Sequence, residues 1–277
     1  MLKTELHTHT SADPHDYIAY STTDLIDRAA ELGYDVLAIT LHDRWYDVRE
    51  VAEYARARGI TLIAGVERTI DHKHVLLLNF DAAAERVDSF DDVAELRRAQ
   101  PAGLVIAPHP YYPARCCLGD VLERHADLFD AVELNACYTS QMNHFNRAAI
   151  DWARRVGKPI VANADVHRLK QLGRTFSLVD AAPEPNAICE AIRGGRVEVQ
   201  TRPLSLVEAA THLAALGLGD LQRLYRKTPG SLFVPIDATA STLGDDSRAV
   251  GELQRLSDDG IPPIRVLEPV RGRRTTE

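Results

Sequence analysis

The 277-residue sequence has no apolar run approaching the roughly 18 to 20 residues that cross a bilayer, and residues 1–6 pass into polar chain with no signal-peptide core. The expectation is a soluble, cytoplasmic protein with no membrane partner. Cysteine is scarce. Cys116, Cys117, Cys137 and Cys189 show no paired spacing, which excludes a disulfide framework and a zinc ribbon and leaves reduced thiols in or near the core. Positive charge is short as well: 32 Lys and Arg face 40 Asp and Glu, a formal net charge of −8. That balance argues against stable duplex nucleic-acid binding while leaving room for a small local anion pocket. With 45% apolar and 26% charged residues the composition is that of a globular chain. At this length it buries about three quarters of its unfolded surface. Neither internal repeats nor low-complexity tracts occur. The unusual residue is histidine, with eleven copies.

Apolar runs of strand length alternate with segments of helical periodicity, the pattern of a βα architecture. Candidate strands cover residues 4–9, 35–40, 61–67, 74–79, 104–109, 131–135 and 159–165; candidate helices cover 23–32, 47–58, 90–100 and 143–156, each stopped by Gly or Pro. The step from Glu67 to His74 leaves six residues, too few for a crossover helix, so those strands are expected to join as a hairpin or by an irregular connection, which makes a perfectly regular barrel unexpected. After Arg202 the pattern changes. Residues 204–216 and 221–226 read as helical, 231–236 as a short strand, 237–246 as a polar turn-rich connection and 268–277 as a fraying end. The division is therefore a barrel over 1–202 and an extension over 203–277.

Polar residues gather where the strand runs end: His7 and His9, His42 and Asp43, Glu67, His109, Glu133 and Asn135, Asp165 and His167, with His74 opening the fourth run. In a βα barrel such ends converge on one face, and residues i and i+2 point the same way. Imidazole and carboxylate ligate Zn²⁺, Mn²⁺ or Fe²⁺, and the lack of nearby paired thiolates argues against a structural zinc site. Eight or nine such groups exceed the needs of one ion, so two or three divalent metals are expected, with Glu67 as bridging carboxylate. Any one of these histidines alone reads as an ordinary hydrogen-bonded residue. Six of them with two acids, buried together, would be hard to satisfy without cations.

The ordered set Glu-Leu-His7-Thr-His9-Thr, Ala-Ile-Thr-Leu-His42-Asp43, Gly-Val-Glu67, His74-Val-Leu-Leu, Ala-Pro-His109-Pro, Val-Glu133-Leu-Asn and Asn-Ala-Asp165-Val-His167 resembles the polymerase and histidinol phosphatase (PHP) family over roughly the first 200 residues. That resemblance implies an α/β fold, a distorted TIM-like (β/α)7 barrel with a C-terminal extension here, a trinuclear metal centre, and hydrolysis of phosphate esters by attack of metal-bound hydroxide. It also implies His7, His9, His42, Glu67, His74, His109, Asp165 and His167 as ligands. For the ninth, counting back from Ser21 favours Asp16, and counting forward from His9 favours Asp13 or His15; Asp16 is taken, with the others open. His72 competes with His74 but fits the strand less well.

Asp43 is read as a general acid or as an orienter of a ligand histidine, and equally as a turn residue. Arg68 and Arg174, and more weakly Arg44, Lys73 and Arg115, are candidates for gripping phosphate oxygens. Tyr111, Tyr112 and Tyr138 are candidates for stacking on a base or for plain packing. His125, His144 and His212 are assigned to surfaces. The expected substrate is a phosphomonoester: a small phosphorylated metabolite, a nucleotide or the end of a short oligonucleotide. An amidohydrolase-like enzyme acting on C–N bonds is the first alternative, weakened by the lack of an inward mid-strand lysine. A metal-binding module without turnover is the second. No polymerase segment accompanies the chain, so a role as a proofreading module inside one polypeptide is not expected, while a separate partner stays open. Substrate identity, metal identity and oligomeric state are not readable.

Overall fold

The computed structural model describes residues 1–211, 214 and 264–266. Its sheet is built from β1 (Leu2–Glu5), β2 (Val36–Ile39), β3 (Thr61–Ile70), β4 (Lys73–Leu78), β5 (Leu104–Ala107), β6 (Ala131–Asn135), β7 (Ile160–Asn163), β8 (Phe176–Val179), β9 (Val197–Thr201) and β10 (Ile264–Val266). They are ordered β10-β9-β8-β1-β2-β3-β4-β5-β6-β7. The sheet curls into a nearly closed barrel. At its upper rim the chain just past β1 meets the chain just past β7, where the His9 amide donates to the Val166 carbonyl at 3.1 Å and the Val166 amide to the His7 carbonyl at 3.0 Å. Lower down, Ser177 Oγ of β8 stitches to both the amide and the carbonyl of Ala162.

All seven sequence-derived strands are present, and the expected join after Glu67 is a two-residue hairpin. Asp71 and His72 carry it at φ 48° and 65°, the double positive φ of a type I′ turn, and β4 consequently runs against both β3 and β5. Among the described residues are the helices α1 (Thr22–Glu31), α2 (Ala52–Arg56), α3 (Phe90–Ala99), α4 (Asp120–Arg124), α5 (His144–Val156) and α6 (Pro185–Arg193). Ser21 with Asp24, and Ser89 with Asp92, form capping boxes that start α1 and α3, and Gly157 at φ 68° ends α5. The 47–58 stretch begins as a 3-10 turn over Val48–Val51 before α2. The segment from β8 through α6 to β9 went unassigned in the sequence.

Strand residues alternate between two cores, as a period of two requires. Val36, Ala38, Leu76, Leu78, Leu104 and Ile106 face one interior with Ile188 and Ile192 of α6. Their neighbours Val75, Leu77, Val105 and Ala107 face out under α3 and α5. Arg193 donates to the Gly103 carbonyl, and Asn79 Nδ2 reaches Asn186 Oδ1 at 2.7 Å, so α6 closes the barrel at the end opposite the histidines. The cysteines are all free; Cys117 and Cys189 are buried. No described helix is long and apolar enough to cross a membrane. Residues 206–211 are helical, part of the 204–216 expectation; the helix expected at 221–226, the strand at 231–236, the connection at 237–246 and the end at 268–277 lie outside the described residues.

Candidate metal centre

At the open end of the barrel the histidines and acids converge. Glu67, fully buried near the upper part of β3, stands at the middle. Its Oε2 lies 3.2 Å from His7 Nε2, 3.4 Å from His9 Nε2 and 3.1 Å from His42 Nε2, while its Oε1 lies 2.7 Å from His74 Nδ1 and 3.1 Å from His109 Nε2. Asp165 Oδ1 closes the far side at 3.4 Å from His7 Nε2, 3.5 Å from His9 Nε2 and 3.3 Å from His167 Nδ1. Four overlapping groups result: His7, His9 and Asp165; His7, Glu67 and His109; His42, Glu67 and His74; and His9, His42 and His167. Asp16 Oδ2 adds to the last from outside, 3.1 Å from His167 Nε2 and 3.9 Å from His42 Nδ1.

The local backbone aims these groups. His7 and His9 follow β1 at a spacing of two, held by the Thr8 amide on Thr40 Oγ1 at 2.9 Å and Thr8 Oγ1 on the Ala38 carbonyl at 2.6 Å. Glu67 and His74 sit on paired strands of the hairpin. Asp43, His109 and Asp165 take φ values of 52°, 28° and 50°, a left-handed backbone that costs a non-glycine residue of order 1 kcal/mol or more and that clusters where side-chain direction matters.

Behind the inner histidines stands a layer that fixes their tautomers. His7 Nδ1 bonds Glu133 Oε2 at 2.9 Å, which leaves Nε2 to face Glu67 and Asp165. Asn163 Nδ2, Asn135 Nδ2 and the His109 amide also donate to Glu133. Asp13, fully buried at its side chain, takes His9 Nδ1 at 2.9 Å, His42 Nδ1 at 3.0 Å and the His42 amide at 2.9 Å on one oxygen. Its other oxygen receives the amides of His15 and Asp16. Asp13 therefore stands behind two histidines, while Asp16 faces the open side.

The donor set fits divalent cations. His7 Nε2, His9 Nε2, Glu67 Oε2 and Asp165 Oδ1 are buried with no hydrogen-bond partner, and all four point into the same small space. Such atoms are costly to leave unmatched, and cations coordinated by them remove that cost. The electrostatics agree. Burial disfavours charge on Glu67 and Asp165, yet the surrounding imidazoles hold both carboxyls well below the usual range. Burial likewise opposes protonation of the imidazoles, but the carboxylates prevail: His7 and His42 are raised well above their ordinary value, His109 is raised to about 9 and His167 to about 10. His9 alone goes down, through burial and then the charges of His42 and His167.

The remaining candidates fall elsewhere. Asp43 Oδ1 accepts from Arg68 Nη1 at 2.6 Å and the Thr69 amide at 2.7 Å, and its Oδ2 lies 3.2 Å from His15 Nε2. Burial raises its carboxyl, but the bonds from Thr69 and Arg68 bring it below the usual range, so Asp43 stands ionised. Arg68 spends its other donors on the Val87 carbonyl and Asp88, so it braces Asp43. Arg174 donates to the Pro203 carbonyl at 3.1 Å and to Glu208. Arg44 reaches the Ala12 carbonyl from an exposed position, and Lys73 Nζ bonds the Arg115 and Cys117 carbonyls. Tyr138 is core, its hydroxyl 2.8 Å from Thr201 Oγ1; Tyr112 bonds the Cys137 carbonyl; Tyr111 is half-buried. His72 is exposed in the hairpin turn, His144 is exposed and His125 stacks on Phe90, while His212 lies outside the described residues. Sequence reading passed over Glu5, buried two residues before His7 and bonded to the His7 and Ala164 amides, and Cys117, whose Sγ lies 3.4 Å from His109 Nδ1. Their signal was there: Glu5 shares the face of His7.

A barrel with this rim of imidazoles and carboxylates is the architecture of a metal-dependent hydrolase. The PHP domain model matches residues 5–156 and the PHP-associated model residues 143–197, and the chain belongs to the PHP family, whose members are metal-dependent hydrolases. An error-prone DNA polymerase of Cutibacterium acnes (strain DSM 16379 / KPA171202) is 46% identical over 66 residues, 24% of this chain and 6% of that protein. Among solved structures, a two-domain Bacteroides vulgatus ATCC 8482 protein containing a predicted PHP-like metal-dependent phosphoesterase aligns with a TM-score of 0.56 at 18% identity, over 73% of this chain and 66% of that one. The lesion-specific endonuclease PfuEndoQ of Pyrococcus furiosus aligns with a TM-score of 0.54 at 14% identity, over 97% and 76%. At these identities the two structures speak for the fold.

Proposed function

We propose that the protein is a phosphoesterase that hydrolyses a phosphomonoester on a small phosphorylated metabolite, a nucleotide or an oligonucleotide end. The observation that carries this reading is the convergence of four buried, unpartnered ligand atoms, from β3 and from the chain just past β1 and β7, on one space, ringed by His42, His74, His109 and His167. The ligands would be His7, His9, His42, Glu67, His74, His109, Asp165 and His167, with Asp16 as the ninth. When bound there, divalent cations supply Lewis acidity and activation of water near neutral pH.

The chain's own groups do the rest. Glu133 and Asp13 hold His7 and His9 with Nε2 turned inward, so the site is arranged before a substrate arrives. Asp43, kept ionised by Arg68 and Thr69, is a proton acceptor beside His42 and holds His15, whose Nε2 lies 3.2 Å from its Oδ2. The polymerase and endonuclease relatives keep oligonucleotide ends among the candidate substrates.

The purified protein supplied with Mn²⁺ or Zn²⁺ is expected to cleave an aryl phosphate, and His7→Ala to abolish that turnover while the circular dichroism spectrum is unchanged. Equal turnover in the variant overturns the reading. Cleavage of cyclic amides in its place points to C–N hydrolysis, and bound metal without any turnover points to a binding module.

A further inference from the structure

Cys116 and Cys117 are neighbours in the chain, and the proposed reaction gives their thiols no part. They lie on the loop that leaves His109 after β5 and returns to the start of β4. Two tight turns shape that loop: the Ala114 amide donates to the Tyr112 carbonyl at 2.8 Å and the Cys117 amide to the Ala114 carbonyl at 3.1 Å. The result is a dithiol set between two histidines of the metal centre. The Cys116 carbonyl accepts the His74 amide at 2.8 Å, and Cys117 Sγ lies 3.4 Å from His109 Nδ1.

The surroundings suit reactive sulfur. Lys73 Nζ donates to the Arg115 carbonyl at 3.0 Å and to the Cys117 carbonyl at 2.7 Å, so a positive charge rests on the backbone of the pair. The two thiols hydrogen-bond each other, and the Cys116 thiol is near enough to His74, His109 and Glu67 to feel their charges. Cys117 is buried, whereas Cys116 is only half-buried. A partly exposed thiol beside positive groups is where cysteine reacts, and a second thiol touching it is placed to resolve the first product.

We propose that Cys116 and Cys117 form an oxidisable dithiol, which a hydroperoxide converts to a disulfide that loosens His74 and His109 and weakens the hold on the metals beside them. The sulfur of Cys116 attacks the terminal peroxide oxygen, the O–O bond breaks, and water or an alcohol leaves with the thiol proton; Cys116 becomes a sulfenic acid. Cys117 Sγ then attacks that sulfur, the S–S bond forms, and the hydroxyl leaves as water with the Cys117 proton. Two thiols lose two electrons and two protons, and the peroxide takes up both. Neighbouring Cα atoms stand about 3.8 Å apart, whereas a disulfide usually spans roughly 4.4 to 6.8 Å, so closing the bond twists the backbone between the two residues. That backbone carries the carbonyl on the His74 amide and the clamp of Lys73, and the sulfur it draws away is the one behind His109. A disulfide closed against strain is readily reopened by a thiol reductant, so the change is reversible. The inference goes beyond the phosphoesterase reading and needs only the metal centre.

The test uses the full chain and Zn²⁺, which has no redox chemistry of its own. The metal-free protein is treated with hydrogen peroxide, alkylated and digested with trypsin, which cuts after Arg115 and Arg124 and releases both cysteines on peptide 116–124. That peptide is expected unalkylated and lighter by two hydrogens, and doubly alkylated when dithiothreitol precedes the alkylation. Chelator competition is expected to show Zn²⁺ held about tenfold or more less tightly by the oxidised protein than by the reduced one. Cys116→Ser and Cys117→Ser are each expected to bring that ratio close to one, and Cys137→Ser, on the loop after β6, to keep it. Peptide 116–124 found with both thiols still free, or oxidised to sulfinic acid without an S–S bond, overturns the proposal. So does a Zn²⁺ affinity that the disulfide leaves unaltered, or a ratio that persists in both Cys116→Ser and Cys117→Ser. Peptide mass and metal affinity are read without any substrate, so failure of aryl phosphate turnover is recognisable by itself.

Discussion

The inner and outer halves of the histidine cluster are built differently. On the inner side His7, His9 and Glu67 have fully buried side chains, and Glu133 and Asp13 fix the two histidines from behind. On the outer side Asp16 is 31% exposed, His167 21% and His42 12%, and the Asp16 carboxylate has no carboxylate or amide behind it among the described residues, its loop being held through its amide on Asp13 Oδ1. A ligand set that is already in place loses little entropy on binding a cation, while one that must be gathered loses more. The inner positions are therefore expected to fill first and release last, and the outer position to exchange.

The strongest way to break that contrast is through its hub. Glu67→Gln removes a charge that five imidazoles face, and it is expected to lower kcat/KM for an aryl phosphate by at least about a thousandfold, roughly 4 kcal/mol, together with loss of bound metal. Glu133→Gln leaves the contact but not the charge behind His7, so it is expected to weaken metal affinity by about 10- to 100-fold, measured by competition with a chelator. Asp16→Asn is expected to remove the weakest-held metal equivalent and to leave the inner ones, which metal analysis after dialysis would show. A variant that instead empties the inner positions reverses the assignment of the two halves.

Acidity sharpens the same comparison. In the metal-free chain His109 is raised to about 9 and His167 to about 10, each by facing carboxylates that outweigh the effect of burial. A raised imidazole contributes stability that is complete below its unfolded value near 6.5 and disappears as pH climbs through the folded value. The melting temperature of the chelator-treated protein is thus expected to fall between pH 7 and 10, and that of the metal-loaded protein to fall much less, because ligation replaces the protons. Metal affinity should rise over the same interval. A flat profile without metal would contradict the charge balance described. The smallest effect belongs to Cys117→Ser, whose thiol only touches the back of His109: a change in metal affinity of about threefold or less, read in the same competition assay.

Much of this was legible before any coordinates. Strand runs ending in His or acid residues located the rim, and the six-residue step after Glu67 ruled out a crossover and left a hairpin or an irregular join, of which the structure has the hairpin. What escaped was short or irregular. β8 is a four-residue run and β9 alternates with Glu and Gln, so neither stands out, and α6 shows its role only when its apolar side meets the barrel interior. The loop after His9 has no periodicity, so spacing could not separate Asp13, His15 and Asp16; the structure puts the first behind His9 and His42, the second on Asp43 and the third at the open side. The targets of Arg68 and Arg174 were equally hidden, because Asp43 and Glu208 lie far from them in the chain.

The count of metal ions per chain after equilibrium dialysis, in the natural sequence and in Glu67→Gln, bears most directly on the whole account. Two or more Zn²⁺ or Mn²⁺ ions per chain are expected in the first, and fewer, by at least one, in the second. Fewer than one ion in the natural protein, or the same number in both, would mean that the convergent histidines serve some other purpose.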